Sequence, residues 1–138
     1  LKLFGMKCGR RVRFRRNVCI DKPWNITAGD LAIFGDYAIV NASAPIRIGK
    51  RSVVSQYAKL ITKQGDCNTK GKTNIVRSIC IGNDSWIAAD TLVLPGSHIE
   101  RGVVVGARSM VEGRLLSWSI CTGEPAQRRT ERVLYGTS

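Results

Sequence analysis

The chain has 138 residues, which suits one domain of ordinary size. Apolar residues make up 43% of the sequence and charged residues 23%, a globular balance that excludes wholesale disorder. The longest apolar runs are only a few residues, far below the roughly 20 that span a bilayer. The first residues also lack the apolar core of a signal peptide. We therefore expect one domain over residues 1–138, with no membrane span and no secretion signal.

Charge is the unusual property of this sequence, because 22 Lys and Arg face 10 Asp and Glu, a net charge of +12. Residues 1–22 carry eight of the basic residues and one acid, Asp21. Arg11, Arg13 and Arg15 alternate with apolar residues, so they are expected on one outer face. Such a surface attracts phosphates, acidic sugars, anionic lipid or nucleic acid, or it serves only as solvated charge that protects the end of the fold.

The five cysteines, at positions 8, 19, 67, 80 and 121, form no C-x-x-C pair. This odd number without a motif indicates reduced thiols rather than a disulfide framework. We therefore expect a cytoplasmic protein.

An apolar residue recurs at every sixth position from Ile81 to Val111. A period of six matches neither the 3.6-residue helix nor the two-residue strand alone. It matches a chain that winds around three flat faces, with one inward residue on each face. Earlier segments continue the same ladder, in three coils that start at Cys8, Ala28 and Ile48. The ladder predicts a triangular all-β solenoid of about five coils, roughly 24 Å tall at about 4.8 Å per coil.

Two segments leave this predicted ladder. Residues 61–78, ITKQGDCNTKGKTNIVRS, are polar and rich in Gly and Lys, so they are expected to project as a loop. The tail, residues 112–138, is expected to lie outside the coils. Within it, Glu124-Pro125 followed by AQRRTERVL predicts a short helix with proline at its first position.

Several motifs in register with the ladder resemble those of the hexapeptide-repeat acyltransferase family, nearest to the branch that O-acetylates exopolysaccharides such as colanic acid. They are PWNITAGD, SVVSQYAKLIT, IGNDSWIAADTLVLPG, VVGARSMV and GEPA. The resemblance implies a left-handed parallel β-helix that assembles as a homotrimer. It also implies transfer of an acetyl group from acetyl-CoA to a saccharide, in clefts between neighbouring prisms.

The resemblance further implies that a loop histidine, in a T-G-S-H-D string, acts as the general base. The matching residues here are Thr62 to Asp66, and Gly65 stands where the histidine is expected. The bases left as candidates are Asp66 and Cys67, the latter as a nucleophile favoured by nearby lysines. His98, the only histidine, is expected to point outward on a different stretch.

The cofactor positions implied by the resemblance are better preserved. The pantetheine arm is expected beside Trp86, Ala88 and Ala89 and past Ala107, where small side chains let the backbone approach it. The CoA phosphates are expected to meet basic side chains, with Arg108, Arg128 and Arg129 as candidates. The alternative is a purely structural role, in which Trp86 covers a coil edge and the arginines are solvated. Glu124 replaces the asparagine of the G-N-P-A motif and would oppose the phosphates.

Three functions therefore stay open at this point. The first is an acetyl-CoA-dependent O-acetyltransferase with an altered base, and the second is a catalytically silent relative that binds CoA, a sugar or a partner. The third is binding to nucleic acid or another polyanion, although no aromatic residues interleave with the basic cluster as base-stacking would require. Zinc hydratases of similar shape need three histidine ligands, and a single histidine excludes them.

Overall fold

The computed structural model describes residues 4–68, 70 and 73–135, which wind into a parallel β-solenoid of six turns, the last of them incomplete. Each complete turn contributes one short strand to each of three sheets, which we call faces A, B and C. Face A contains β1 (Lys7–Cys8), β4 (Ile26–Ala28), β7 (Ile46–Ile48), β12 (Ile79–Ile81), β15 (His98–Ile99) and β18 (Arg114–Leu115).

The other two faces complete the prism. Face B contains β2 (Arg13–Phe14), β5 (Ile33–Phe34), β8 (Val53–Val54), β13 (Trp86–Ile87), β16 (Val104–Val105), β19 (Ser119–Gly123) and β20 (Ala126–Glu131). Face C contains β3 (Cys19–Asp21), β6 (Ile39–Asn41), β9 (Lys59–Ile61), β14 (Leu92–Val93) and β17 (Met110–Val111). A short 3₁₀ helix, Pro23–Asn25, joins the first turn to the second.

The predicted ladder residues form the interior of the prism. Strand register stacks each residue on its equivalent in the next turn, as in the column Phe14, Phe34, Val54. The rings of Phe14 and Phe34 lie 5.0 Å apart and almost parallel, and Phe34 is completely buried. The first turn is less covered, because Phe14 and Ile20 are only half-buried. The core is thus a set of like-on-like columns, which confirms the solenoid prediction.

Close stacking of the turns requires glycine at the corners after face A. A Cβ atom built on Gly49 would lie 2.4 Å from the backbone nitrogen of Asn83 in the next turn. The same corners are tied together by side chains: Ser52 Oγ donates to the Gly82 carbonyl at 2.7 Å, and Asp84 pairs with Arg51 at 2.7 Å. The Arg51 hydrogen bond holds the pKa of the Asp84 carboxyl below its usual value, so the pair is present at neutral pH.

The projecting segment leaves the prism after face C of the third turn, as predicted. It forms an antiparallel hairpin of β10 (Lys63–Gly65) and β11 (Asn74–Val76), and residues 69, 71 and 72 lie outside the described part of the chain. Thr62 anchors its root, because the buried hydroxyl donates to the Asn41 carbonyl at 2.8 Å. The hairpin therefore projects from the corner between faces C and A.

The structure corrects the predicted tail in two respects. The ladder does not end at Val111, since β18 and β19 add most of a sixth turn, with Leu115 and Cys121 buried beneath it. The predicted helix after Pro125 is wrong, because Ala126–Glu131 is a strand antiparallel to β19. The chain reverses at residues 124–125, and the returning strand satisfies the edge of β19 that a helix would leave unpaired.

Within the described residues, no helix has the length and hydropathy needed to cross a membrane.

Candidate functional site

The corner between faces B and C, which we call the B–C corner, brings together most of the predicted cofactor residues. Trp86 lies on β13 of face B, with 48% of its surface exposed, and its indole Nε1 donates to Ser55 Oγ at 2.9 Å. Ala88 and Ala89 form the link from β13 to β14. The hydrogen bond fixes the indole on the outer surface immediately before this corner.

Ala107 and Arg108 occupy the equivalent link one turn further along, between β16 and β17. The backbone N–H of Arg108 donates to the Ala89 carbonyl at 2.9 Å, so the two links stack directly. The Arg108 guanidinium lies 3.7 Å from an Asp90 carboxylate oxygen, and both side chains are largely exposed. Because exposed ion pairs contribute little, this guanidinium is available to another anion.

Arg129 reaches the same corner from β20. Its guanidinium donates to the Thr122 hydroxyl at 3.0 Å and to the Thr122 carbonyl at 3.2 Å. Thr122 in turn covers Gly106, next to Ala107, since a Cβ on that glycine would lie 2.6 Å from the threonine methyl. Arg128 is exposed and pairs in register with Cys121, whose thiol pKa is raised by burial. Both arginines are thus presented by a strand, not by the predicted helix.

A hollow of about 390 Å³ lies at the end of the B–C corner. Arg108, Asp90 and Glu124 line it together with Leu92, Ser109 and Met110. Its charge is therefore mixed, with one basic and two acidic side chains. Glu124, predicted to oppose phosphate binding, does lie in the same hollow as Arg108.

The loop candidates lie at the tip of the hairpin. Gly65 ends β10, and a Cβ atom built on it would meet nothing within 4 Å. One carboxylate oxygen of Asp66 accepts the Asn68 N–H at 2.9 Å, which shapes the turn. Cys67 is exposed in this turn. The hairpin thus has open space where a histidine side chain would begin.

The hairpin and the cofactor residues occupy different corners of one chain. The hairpin starts after β9 of face C and returns to β12 of face A, whereas the B–C corner links faces B and C. The fold therefore does not bring residues 65–67 of one chain onto the same corner as Trp86 and Arg108. The prediction from sequence did not separate these two locations.

His98 lies beside the root of the hairpin. It is exposed on β15 of face A, in register with Cys80. Together with Arg77, Ser78, Gly96, Ser97 and Cys80 it lines a depression of about 400 Å³. His98 is therefore a neighbour of the hairpin root and lies away from the B–C corner.

Two tyrosines that the sequence analysis overlooked stack on the B–C corner below Trp86. The rings of Tyr37 and Tyr57 are 5.3 Å apart and within 3° of parallel. A hollow of about 440 Å³ opens beside them, also lined by Arg15, Ile33, Gly35, Asp36, Val53, Ser55 and Gln56. The tyrosines are 20 residues apart, the same spacing as the coil starts at 8, 28 and 48, so the stack was detectable in the sequence.

These features define a β-solenoid of the hexapeptide-repeat class, with an aromatic and basic track along one corner and a hairpin at another. No protein-family model matches the chain. However, it is 41% identical over 133 residues to the protein of Escherichia coli K12 named as the colanic acid biosynthesis acetyltransferase WcaF, covering 96% of this chain and 73% of the relative. The chain therefore belongs to the hexapeptide-repeat acetyltransferase family.

Solved structures agree on the fold. A maltose O-acetyltransferase from Clostridium difficile superposes with a TM-score of 0.87 at 23% identity, covering 96% of this chain and 72% of that one. The hexapeptide-repeat acetyltransferase VCA0836 from Vibrio cholerae, in complex with acetyl-CoA, gives a TM-score of 0.86 at 21% identity, with coverages of 94% and 72%. At these identities the likeness concerns the fold.

Proposed function

We propose that this protein transfers the acetyl group of acetyl-CoA to a hydroxyl of a saccharide. The observation that carries the proposal is the 41% identity to WcaF over 96% of this chain. The B–C corner adds an exposed track with an aromatic side chain and arginines. A track of this kind suits a long, partly apolar donor that ends in phosphates.

The B–C corner residues fit the parts of acetyl-CoA. Ala88, Ala89 and Ala107 leave the backbone of two stacked links accessible, so a pantetheine chain can approach it closely. The indole of Trp86, fixed by Ser55, offers an apolar wall. Arg108 and Arg129 supply guanidinium groups for phosphates, which arginine binds through paired N–H donors.

The tyrosine hollow is the proposed acceptor site. Aromatic faces pack against the apolar faces of sugars, and Asp36, Gln56 and Arg15 supply hydrogen-bonding groups for hydroxyls. Ser55 belongs to this hollow and also accepts the Trp86 hydrogen bond, so donor and acceptor sites are contiguous. Arg15 favours an acceptor that carries a carboxylate or another acidic group.

In the proposed reaction the sugar hydroxyl oxygen attacks the thioester carbonyl carbon. The carbon–sulfur bond breaks, the sugar becomes an acetyl ester, and the hydroxyl proton leaves with CoA as its thiol. Gly65 offers no side chain to take that proton. Asp66, Cys67 and His98 are the residues near the hairpin that remain as bases, and loss of a positioned base costs about 10²–10⁴ in rate.

The proposed active unit is a homotrimer. Because the hairpin and the B–C corner lie apart in one chain, the hairpin of one prism completes the site only on a neighbouring prism. Closed threefold symmetry repeats this contact three times without leaving an unused surface. Cys19, Cys67, Cys80 and Cys121 are thiols outside any disulfide, which supports a place in the reducing cytoplasm as part of the proposal.

The open space at Gly65 favours one second candidate, a silent family member that binds acetyl-CoA without transfer. An assay of CoA release separates the two. We expect release from acetyl-CoA to rise when acidic and neutral oligosaccharides are supplied, with acetyl ester appearing on one of them. The rate is expected to be about 10²–10⁴ below that of a histidine-containing relative measured in parallel. Binding of acetyl-CoA without any ester product would instead establish the silent member.

A further inference from the structure

A depression on the outside of face A lies between the root of the hairpin and the fifth turn of the prism. It has a volume of about 400 Å³, and its lining residues are Arg77, Ser78, Cys80, Gly96, Ser97 and His98. None of these six residues is acidic, in contrast to the hollow at the end of the B–C corner. Residues 69, 71 and 72 belong to the hairpin tip, three cross-strand pairs beyond this root. The depression is therefore shaped by the middle turns of the prism.

Arg77 lies along one side of this depression. Its backbone N–H donates to the Thr62 carbonyl at 2.9 Å, which fixes the residue at the hairpin root. Its side chain passes over Gly96, since a Cβ atom built there would lie 3.2 Å from Arg77 Cδ. The Gly96 N–H donates to the Ser78 carbonyl at 3.1 Å, which ties the link before β15 to the root. Among the described residues, no carboxylate pairs with Arg77 and no acceptor binds its guanidinium. The stem of this side chain is thus supported while its charge is unpaired.

His98 lies on another side of the depression, next to a second arginine. It is exposed on β15, in register with the half-buried Cys80, and Arg47 on β7 is in register with Cys80 from the opposite side. The backbones of His98 and Arg47 therefore lie two strand spacings apart, about 10 Å. Arg47 is exposed and pairs with no carboxylate of the described residues. Its charge adds to the positive potential around the depression.

Glu100 is the acidic residue nearest to His98 in the chain, and both of its carboxylate oxygens are already engaged. One oxygen accepts the Ser117 N–H at 3.0 Å, and the other pairs with Arg114. The Ser117 hydrogen bond, together with the Arg114 pair, holds the pKa of the Glu100 carboxyl below its usual value. At neutral pH its negative charge is therefore matched by Arg114. The positive charges of Arg77 and Arg47 are left for a ligand.

We infer that this depression binds the anionic group of a small acidic sugar, either a carboxylate or a phosphate ester. The guanidinium fork of Arg77 matches both groups through paired N–H donors, and the Ser78 hydroxyl and the His98 ring supply further hydrogen bonds. The volume lies within the roughly 300–1,000 Å³ of small-molecule sites, so one monosaccharide can enter. The anion follows from the residues of the depression, whereas the sugar rests on the proposed saccharide acceptor.

The single histidine of the chain makes the inference directly measurable, because its ring protons report on this depression alone in a proton NMR titration. At constant pH and ionic strength, we expect glucuronate and glucose 6-phosphate to shift the His98 resonances saturably. The tighter of these two ligands identifies the anionic group. Glucose, which lacks the charge, should leave the resonances in place. Arg77→Gln should weaken the binding about tenfold or more, as the loss of a charge-assisted hydrogen bond does.

Arg101→Gln is the matched control, because it removes an exposed arginine from the same turn at the corner between faces A and B. It should change the affinity by less than about twofold, since a distant exposed charge is screened by salt. Equal losses in Arg77→Gln and Arg101→Gln would mean general charge attraction and would overturn the inference. Absence of a saturable shift with either acidic sugar at millimolar concentration would overturn it as well.

Acetyl-CoA separates this site from the B–C corner. Its affinity, measured by calorimetry, should be the same for Arg77→Gln and the unaltered protein, so the inference can fail while the proposed donor site stands. If acetyl-CoA instead shifts the His98 resonances, and Arg77→Gln abolishes that shift, the depression holds a CoA phosphate and the inference is wrong.

Discussion

Replacement of Gly65 by histidine should raise the rate of acetyl transfer by about 10²-fold or more, a large part of what a positioned general base contributes. A Cβ atom at Gly65 meets no other atom within 4 Å, so the imidazole has room. The hairpin is anchored at Thr62 and so keeps its place on the prism. The measurement is CoA release, in the presence of the acetylated saccharide, by the variant and the unaltered protein.

Gln64→His is the matched control for this gain. It places the same side chain one position earlier on β10, where a strand points it to the opposite side. We expect no gain from it, and we expect Asp66→Asn to cancel part of the gain of Gly65→His, since the carboxylate would orient the new ring. If the unaltered protein already turns over at about 10 per second, a typical enzyme rate, and Gly65→His changes nothing, the base lies elsewhere. His98 and Cys67 are then the residues to replace.

Phe34→Ala should lower the free energy of unfolding by about 3–5 kcal/mol, the usual cost of removing a buried aromatic side chain. Phe34 is completely buried between Phe14 and Val54 in one column of the ladder. The cavity cannot readily close, because strand register fixes the residues above and below Phe34 in the same column. Urea denaturation of the two proteins measures the difference.

Phe4→Ala is the same chemical change at an exposed position, since Phe4 is 79% exposed. It should cost less than about 1 kcal/mol, as surface substitutions usually do. An equal decrease in the free energy of unfolding for Phe34→Ala and Phe4→Ala would mean that the columns do not form the stabilising core of the solenoid.

The prism could be predicted from the sequence because its geometry repeats. A residue such as Val54 has the same environment as Phe34 and Ile87, one turn away on either side, so the six-residue period reveals the inward direction without tertiary information. The tail does not repeat in this way. Ala126–Glu131 has helix-compatible residues, but its conformation is decided by the unpaired edge of β19, which becomes apparent only when the turns are stacked.

The site could be predicted only in part. Motif resemblance singled out Trp86, Ala89, Ala107 and Arg108 as cofactor residues, and the fold places them on or beside one corner, while their role stays a prediction. It gave no sign that Ser55 fixes the Trp86 indole, because that hydrogen bond joins residues 31 positions apart across neighbouring turns. The resemblance implied clefts between neighbouring prisms, but the sequence did not show which corner of the prism carries the hairpin and which carries the cofactor track.

Calorimetric titration with acetyl-CoA tests the central claim most directly, namely that the B–C corner is an acetyl-CoA site. We predict saturable binding at one molecule per chain. Trp86→Ala should weaken the binding at least tenfold, because the ligand would cover the exposed indole. Burial of an aromatic surface of this size is worth more than about 1.4 kcal/mol. Trp24→Ala, a matched change at the first-turn end, should leave the affinity unaltered. Absence of binding at millimolar acetyl-CoA, or equal losses in the two tryptophan variants, would contradict the account.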